Sequence, residues 1–554
     1  MHFLHTRLTS SLEKGFVDQM PEQFSPLRRA TMLKNQHYSF QLMYRLDSDN
    51  HAYRFSIDIE SELKPYITLR TVEQVPVLMT SYHGKVDDNY LRTTPGLYPD
   101  FLQPIHYDNA IFFVRDQLRS MWVSIDTHGE MPAGEYPVSL IIRSKEGEEL
   151  RREVLTVEIL NAELPEHGLI LTQWFHADCL AHYYNCEVFS ERHWEIVGNF
   201  MRTAAEYGQT MILTPMFTPP LDTAVGGERL TVQLVGVTVE NGTYSYDFTL
   251  LDRYMDLALS CGLKYFEMSH LFTQWGAEHA PKVMATVDGE YRRIFGWDTD
   301  AVGEEYSSFL RDFLPALIAH LKARGLDHLC KYHISDEPNE GCLEQYRRAQ
   351  AIVSEALDGY DIMDALSSFD FYRDGLVSLP IPGSDHIEPF LEAGVEGLWT
   401  YYCCVQGKGV SNRFIAMPSW RNRALGMQCF KYDIAGFLHW GFNFYNNMYS
   451  VDAINPYLDT EGEQQVPAGD SFMVYPAPDG TTLPSIRLMA FREGLEDLAA
   501  MKLCAEKCGK EAVVNAMEAV FGDICFDRCP TTAEQMLSVR AAVDAMLQSA
   551  YNED

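Results

Sequence analysis

Asp336 and Glu337 are adjacent carboxylates, closed on the carboxyl side by Pro338, at the end of the short apolar-rich run Lys331-Tyr-His-Ile-Ser335. Paired carboxyls do general acid–base work on glycosidic bonds. Ordinary glycosidases hold two of them roughly 5 Å or more apart, one on each side of the scissile bond. Neighbours on one turn do not obviously provide that. They fit a substrate-assisted reaction on a 2-acetamido sugar, in which the acetamide carbonyl attacks the anomeric carbon. One carboxylate orients and polarises the acetamide N–H. The next carboxyl protonates the departing oxygen, then activates water against the oxazoline. The glutamic acid then needs a raised pKa, and an ionised aspartate beside it helps. A structural reading competes: Ser335 or Asp336 could cap the helical pattern that follows (Tyr346, Ala349, Ile352, Val353), with Glu337 in its first turn.

The elements around the pair decide between these. An apolar run, an acidic turn and a helical pattern read as strand, loop, helix. Parallel α/β folds put their active sites at that end of a strand. Pro338 biases Glu337 away from helical φ/ψ, which makes the turn stiff. Strand-like runs at 169–176, 210–217, 263–270, 329–335, 362–369, 384–387, 398–404 and 434–443 alternate with helical stretches at 190–207, 250–260, 304–323, 340–357, 417–431 and 484–504. This predicts a (β/α)8 TIM-type catalytic barrel over 166–504. An insertion at 229–248 reads as a β-hairpin turning at Asn241-Gly242. The tail, 505–554, reads as a helical extension packed on the barrel. Before it all, 1–165 predicts an antiparallel β-sandwich: an irregular lead-in to about residue 35, then short period-two runs such as Met121-Trp-Val-Ser-Ile125. The loop 82–104, carrying Tyr90, Tyr98 and Asp100, is long enough to reach the barrel mouth.

Barrel sites are assembled from several loops, so the residues at the expected strand ends are the candidates for binding substrate: Trp174, His176, Asp178, His270, Trp275, Asp370, Tyr372, Tyr401, Trp440, Asn443 and Tyr445. Aromatic faces suit the apolar side of a sugar ring, and polar groups fix its hydroxyls. Few Lys or Arg join them, which argues against a phosphorylated substrate. Each alone could be structural, a Trp or Tyr in the core or a hydrogen-bonded His.

Bulk properties narrow the class. The chain has 554 residues, 46% hydrophobic, with a formal charge of −34. So acidic a surface repels phosphate backbones and anionic membranes, while a small neutral sugar or oligosaccharide is compatible with it. No apolar run approaches the ~20 residues of a membrane helix. The start, Met1-His-Phe-Leu-His-Thr-Arg7, lacks the layout of a signal peptide, so the expected location is cytoplasmic. The twelve Cys include no CxxC pair and no zinc spacing; they read as free thiols in a reducing compartment, with no metal or cofactor expected.

Several blocks in order resemble glycoside hydrolase family 123, the exo-β-N-acetylgalactosaminidases and their relatives. They are His333-Ile-Ser-Asp-Glu-Pro338, Trp174-Phe-His-Ala-Asp178, His270-Leu-Phe-Thr-Gln-Trp-Gly276, Gly436-Phe-Leu-His-Trp-Gly-Phe-Asn-Phe-Tyr445 and Ala468-Gly-Asp-Ser-Phe-Met-Val-Tyr-Pro476. The resemblance implies an amino-terminal β-sandwich, a catalytic barrel, Asp336 as the acetamide-orienting residue and Glu337 as the acid/base. The preference for GalNAc over GlcNAc rests on that resemblance alone. Two alternatives stay open: a glycosidase of another sugar class with a separate nucleophile, for instance Glu267 or Asp370, and a non-catalytic carbohydrate-binding protein.

Overall fold

The computed structural model describes residues 3–47, 52–105 and 110–552. Residues 1–2 and 553–554, the outer limits of the expected domains and the first residues of the amino-terminal stretch, lie outside them.

Period-two patterning builds two five-stranded sheets. One runs in the order Phe3–Ser10, His37–Asp47, Arg119–Asp126, Ile67–Val77, Gly96–Pro104; the other Arg29–Lys34, Glu149–Glu163, Gly134–Arg143, Ala52–Glu60, Ala110–Val114. Neighbours are antiparallel, except that Arg29–Lys34 runs parallel to Glu149–Glu163. In Arg119–Asp126, Met121, Val123 and Ile125 enter the core between the sheets, while Trp122 joins the large core shared with the α/β half. Burial on both faces removes the apolar–polar contrast of a half-exposed strand.

The stretch expected to be irregular contains two of these strands, Phe3–Ser10 and Arg29–Lys34. Leu4 and Leu8 point between the sheets, but Thr6 sits in the same row and donates to Glu153 at 2.6 Å. A polar residue in the inward row hides the period.

From Ile170 onward strand and helix alternate. Six strands pair in parallel in the order Cys330–Tyr332, Tyr265–Met268, Met211–Thr214, Ile170–Gln173, Gly436–His439, Trp399–Tyr401. Two more, Met363–Leu366 and Leu379–Pro382, pair in parallel with each other. Single parallel bridges, Tyr332↔Ile362 and Gly383↔Tyr401, join that pair to the two ends of the six. The expected strand at 384–387 is a correction: those residues form a turn and the approach to the helix Glu388–Glu392, and the strand lies earlier, at Leu379–Pro382. Pro380 and Pro382 disguise it, because proline has no ladder N–H. Leu379 donates to Ile362 on one side (2.9 Å), so the missing donors fall toward Trp399–Tyr401, where pairing shrinks to one bridge.

Helices flank these strands at Glu191–Glu206, Thr249–Ser260, Glu304–Arg324, Leu343–Val353 and Leu425–Lys431. Ile486–Cys508, capped by the Ser485 hydroxyl, is buried along most of its length. It lies against Leu425–Lys431 so closely that a Cβ on Gly426 would stand 1.9 Å from the Gly494 carbonyl oxygen. Arg487 in that helix forms a buried ion pair with Asp100 of the first sheet, and Tyr475 donates to the same carboxylate at 2.5 Å. The insertion is a hairpin, Gly236–Glu240 with Thr243–Asp247, turning through positive φ at Asn241 and Gly242 and continued by Val283–Val287 and Glu290–Phe295. The tail forms Lys510–Phe521 and Ala533–Asn552; Arg540 of the latter bonds Asp497, Asp544 and Gln36. No helix among the described residues is long and apolar enough to cross a membrane.

Candidate active site

The strand Cys330–Tyr332 runs directly into the acidic turn, and backbone bonds fasten that turn to its neighbours. Leu271 and Phe272 donate to the carbonyls of His333 and Ile334, Trp275 donates to Asp336 at 2.8 Å, and Glu337 donates to Ala365 at 3.1 Å. Ser335 spends its hydroxyl on the Thr273 carbonyl (2.7 Å) and caps nothing. Asn339 opens the helical stretch instead. Glu337 sits at φ 43°, a strained conformation for a side chain of its size, and the flanking bonds hold it there.

The turn delivers Asp336 and Glu337 to a cavity of about 290 Å³. Of the residues expected from sequence, Trp174, Trp275, Tyr401 and Trp440 line it with them. Asp222, Gln274, Tyr82, Cys403, Cys404, Met448 and Tyr449 complete much of the wall. Gln274 lies in the block 270–276, Cys403 and Cys404 at the end of the expected strand 398–404, and Tyr82 at the start of the loop 82–104, whereas Asp222, Met448 and Tyr449 sit in loops of no local pattern. Tyr82 comes from the loop expected to reach the mouth; Tyr90, further along it, donates to the Gly407 carbonyl at 2.8 Å.

The other expected residues stand off the cavity lining. His176, Asp178 and Asn443 form a brace behind it. Asp178 takes both arms of the buried Arg229 (2.7 and 2.8 Å), and His176 bonds Arg229 and the Trp440 carbonyl. Asn443 clips the backbone of His176 from both sides (2.9 and 3.1 Å), tying the first strand's end to the last. Burial and the neighbouring Arg229 push His176 down to about 4, so it is neutral. Tyr445 donates to the Val474 carbonyl, and His270 is stacked on His333 with centroids 4.1 Å apart. Asp370 pairs with Arg373 at 2.6 Å, and Tyr372 lies against Phe369 and Phe390. The reason is length: the strand expected to end at 369 stops at Leu366, and Asp370–Arg373 is already a helical turn leading away.

Beneath the pair lies a buried charge chain. His333 bonds Glu267 through Nε2 (2.7 Å) and Asp364 through Nδ1 (2.9 Å). Glu267 also accepts from Trp174 Nε1 (2.7 Å) and the Thr172 hydroxyl, and Asp364 from the Tyr346 hydroxyl. Burial opposes charge on His333, but its two carboxylate bonds outweigh it and hold the pKa up to about 9, so it is an imidazolium. His270, His333 and Asp364 converge closely enough to suggest a cation site. They fit one poorly, because both ring nitrogens of His333 are already committed to carboxylates.

Electrostatics set the pair's chemistry. Burial raises Asp336 well above the ordinary carboxylate range, and the charges of Glu337 and Asp222 add to it; His333 pulls the other way. Burial also raises Glu337, against a 2.8 Å bond donated by the Tyr401 hydroxyl. Asp222 is pushed up to about 7 by burial, against the pull of Arg229. Asp470, behind Trp440, is raised to about 6 by burial and accepts from the Trp440 indole at 2.9 Å. Carboxyls this close and this dry share protons instead of all ionising. The cavity thus offers proton donors and acceptors beside flat aromatic faces.

Residues 174–504 match the family profile described as "Glycoside hydrolase 123, catalytic domain". No curated protein matches the chain. Among solved structures, a family 123 glycoside hydrolase from Clostridium perfringens, described for glycolipid glycan hydrolysis, is 13% identical, with a TM-score of 0.76 over 99% of this chain and 98% of that one. That likeness is one of fold. A putative beta-galactosidase from Bacteroides fragilis is 10% identical over 83% of this chain and 58% of that one, with a TM-score of 0.32, too low to bear on the site.

Proposed function

The chain belongs to glycoside hydrolase family 123, and from that premise we propose that it releases a terminal, non-reducing β-linked N-acetylhexosamine, N-acetylgalactosamine by preference, with retention and through an oxazolinium intermediate. It is a glycoside hydrolase, and its substrates are sugars. The narrower reading is carried by one observation: a single buried turn brings Asp336 and Glu337 together into one aromatic-lined cavity. The two nucleophiles considered for an ordinary mechanism are badly placed. Glu267 is fully buried and bonded to Thr172, Trp174 and His333, and Asp370 is ion-paired outside the lining.

In the proposed reaction the acetamide N–H donates to Asp336, which with the imidazolium of His333 favours the ionised form of that carboxyl. The proton left on the pair then belongs to Glu337. As the glycosidic bond breaks, Glu337 passes its proton to the leaving oxygen and the acetamide oxygen bonds the anomeric carbon. Glu337, now a carboxylate, takes a proton from the water that reopens the ring. Trp174, Tyr401 and Trp440 are the ring-facing aromatics in this reading. The eight parallel strands are read as a (β/α)8 barrel with its catalytic face at their carboxyl ends. The division into a sandwich (1–165), barrel (166–504) and helical extension (505–554) belongs to the same proposal. So does residence in the cytoplasm, which the twelve free cysteines favour.

Hydrolysis of nitrophenyl β-GalNAc, β-GlcNAc and β-Gal by wild type, Glu337→Gln and Asp336→Asn tests it. Activity confined to the N-acetyl sugars and lost in both variants supports the proposal, and the GalNAc-to-GlcNAc ratio reads the ring preference. Asp222, in the same cavity, favours one second reading, in which it serves as a separate nucleophile. Turnover of β-Gal that survives Asp336→Asn and is lost in Asp222→Asn would replace the first reading with that one.

A further inference from the structure

Cys403 and Cys404 are consecutive residues just past the strand Trp399–Tyr401, and both line the catalytic cavity. Cys403 is buried and Cys404 partly exposed. The backbone of Cys403 is tied down at both of its polar groups. Cys403 N–H donates to Gln406 Oε1 at 2.8 Å, and Asn412 Nδ2 donates to the Cys403 carbonyl at 2.8 Å. Burial, and after it the charges of Glu337 and Asp470, disfavour free thiolates here.

A direct disulfide between them is strained. Cα atoms joined by a trans peptide stand ~3.8 Å apart, below the ~4.4 Å at which disulfides begin. Relief needs a distorted peptide, and the two bonds just named oppose that. A bridging atom between the sulfurs removes the difficulty, because it widens the ring and spans two sulfurs that a direct bond would force together. Trivalent arsenic is such a bridge: it is soft, bonds two sulfurs that give up their protons to its oxygen, and asks for no third protein ligand.

We propose that Cys403 and Cys404 form a dithiol site for trivalent arsenicals in the wall of the catalytic cavity, and that filling it closes the cavity to substrate. With phenylarsine oxide two As–S bonds form, the arsenic–oxygen bond breaks, and the oxygen leaves as water with the two thiol protons. Arsenic stays trivalent, so no oxidant or reductant enters. The adduct stands on the wall that carries Tyr401 and so beside Glu337, where a sugar would lie in the function proposed above. The arsenic site itself does not depend on that function.

The test uses full-length reduced protein and an equimolar amount of phenylarsine oxide, followed by intact mass and peptide mapping. The expected result is one bridging adduct on the peptide holding Cys403 and Cys404, removed by dithiothreitol and retained against a comparable excess of 2-mercaptoethanol. Cys403→Ser and Cys404→Ser should each lose it. The competing pair is Cys504 and Cys508, one helical turn apart. An adduct found there alone, or one whose yield at 403–404 is unchanged in the single variants, overturns the proposal. Mapping wild type decides the location even if a variant fails to fold. Glycosidase activity should fall in step with the adduct; a fully adducted enzyme with undiminished activity refutes the closure.

Discussion

Tyr401→Phe is the most informative single change. The ring keeps its place in the wall, and only the hydroxyl that donates to Glu337 Oε1 at 2.8 Å is lost. A hydrogen bond to a charged acceptor contributes about 1.5–3 kcal/mol and one to a neutral acceptor about 0.5–1.5 kcal/mol. Tyr401 therefore favours the ionised form of Glu337 by about 1–1.5 kcal/mol, which is about one pH unit at ~1.36 kcal/mol each. The sign follows directly. Tyr401 holds down a pKa that burial raises, so removing it lets the pKa climb further. If Glu337 is the general acid, its deprotonation sets the alkaline limb of kcat/KM. That limb should move up by about one unit in Tyr401→Phe. The substrate should be an alkyl β-N-acetylgalactosaminide, because a poor leaving group needs the acid. Asp336 shares the titration, so the limb belongs to the pair, and the direction of its shift is the diagnostic. An unmoved limb, or one displaced toward acid, would show that Glu337 is not the group whose proton matters.

Three further outcomes follow from the same geometry. Asp336 has a folded pKa above its unfolded one, so its stability contribution is complete below the ordinary carboxylate range and is lost as pH rises toward the folded value; Asp336→Asn should melt higher than wild type at neutral pH and identically at about pH 4, and equal melting at both would contradict the burial of that charge. His333→Gln leaves Glu267 and Asp364 without their shared cation, a loss of about 3–5 kcal/mol, to be read as a lowered denaturant midpoint; unchanged stability would mean the chain of bonds is not charged. Tyr82→Ala, outside the α/β half, should raise KM for oligosaccharides more than for aryl glycosides if the amino-terminal sheets shape the cavity mouth, whereas equal effects would make Tyr82 a packing residue.

Much of this protein is legible along the chain. The βα alternation, the hairpin at Asn241-Gly242 and the acidic turn at 333–338 depend on neighbours in sequence, through side-chain period, positive-φ turn chemistry and the stiffness before Pro338. Even there, Pro380 and Pro382 hid a strand whose pairing is one-sided, and a polar Thr6 in the inward row hid the strand Phe3–Ser10. The site divides in the same way. Asp336 and Glu337 are visible as a pair because they are adjacent, whereas Asp222 reaches the cavity from a loop that no local rule marks, and Tyr82 and Asp470 lie in stretches the sequence singles out without showing that these side chains meet the cavity or its wall. His176 and Asp178 look like ligands by position and turn out to brace Arg229, while Asp370 leaves the cavity because its strand ends three residues before the end of the expected run, 362–369. The sequence by itself determined which groups could do the chemistry. Only the tertiary structure decided which of them share one dry space, because burial and the charges around a carboxyl, on which its pKa depends, come from residues far apart in the chain.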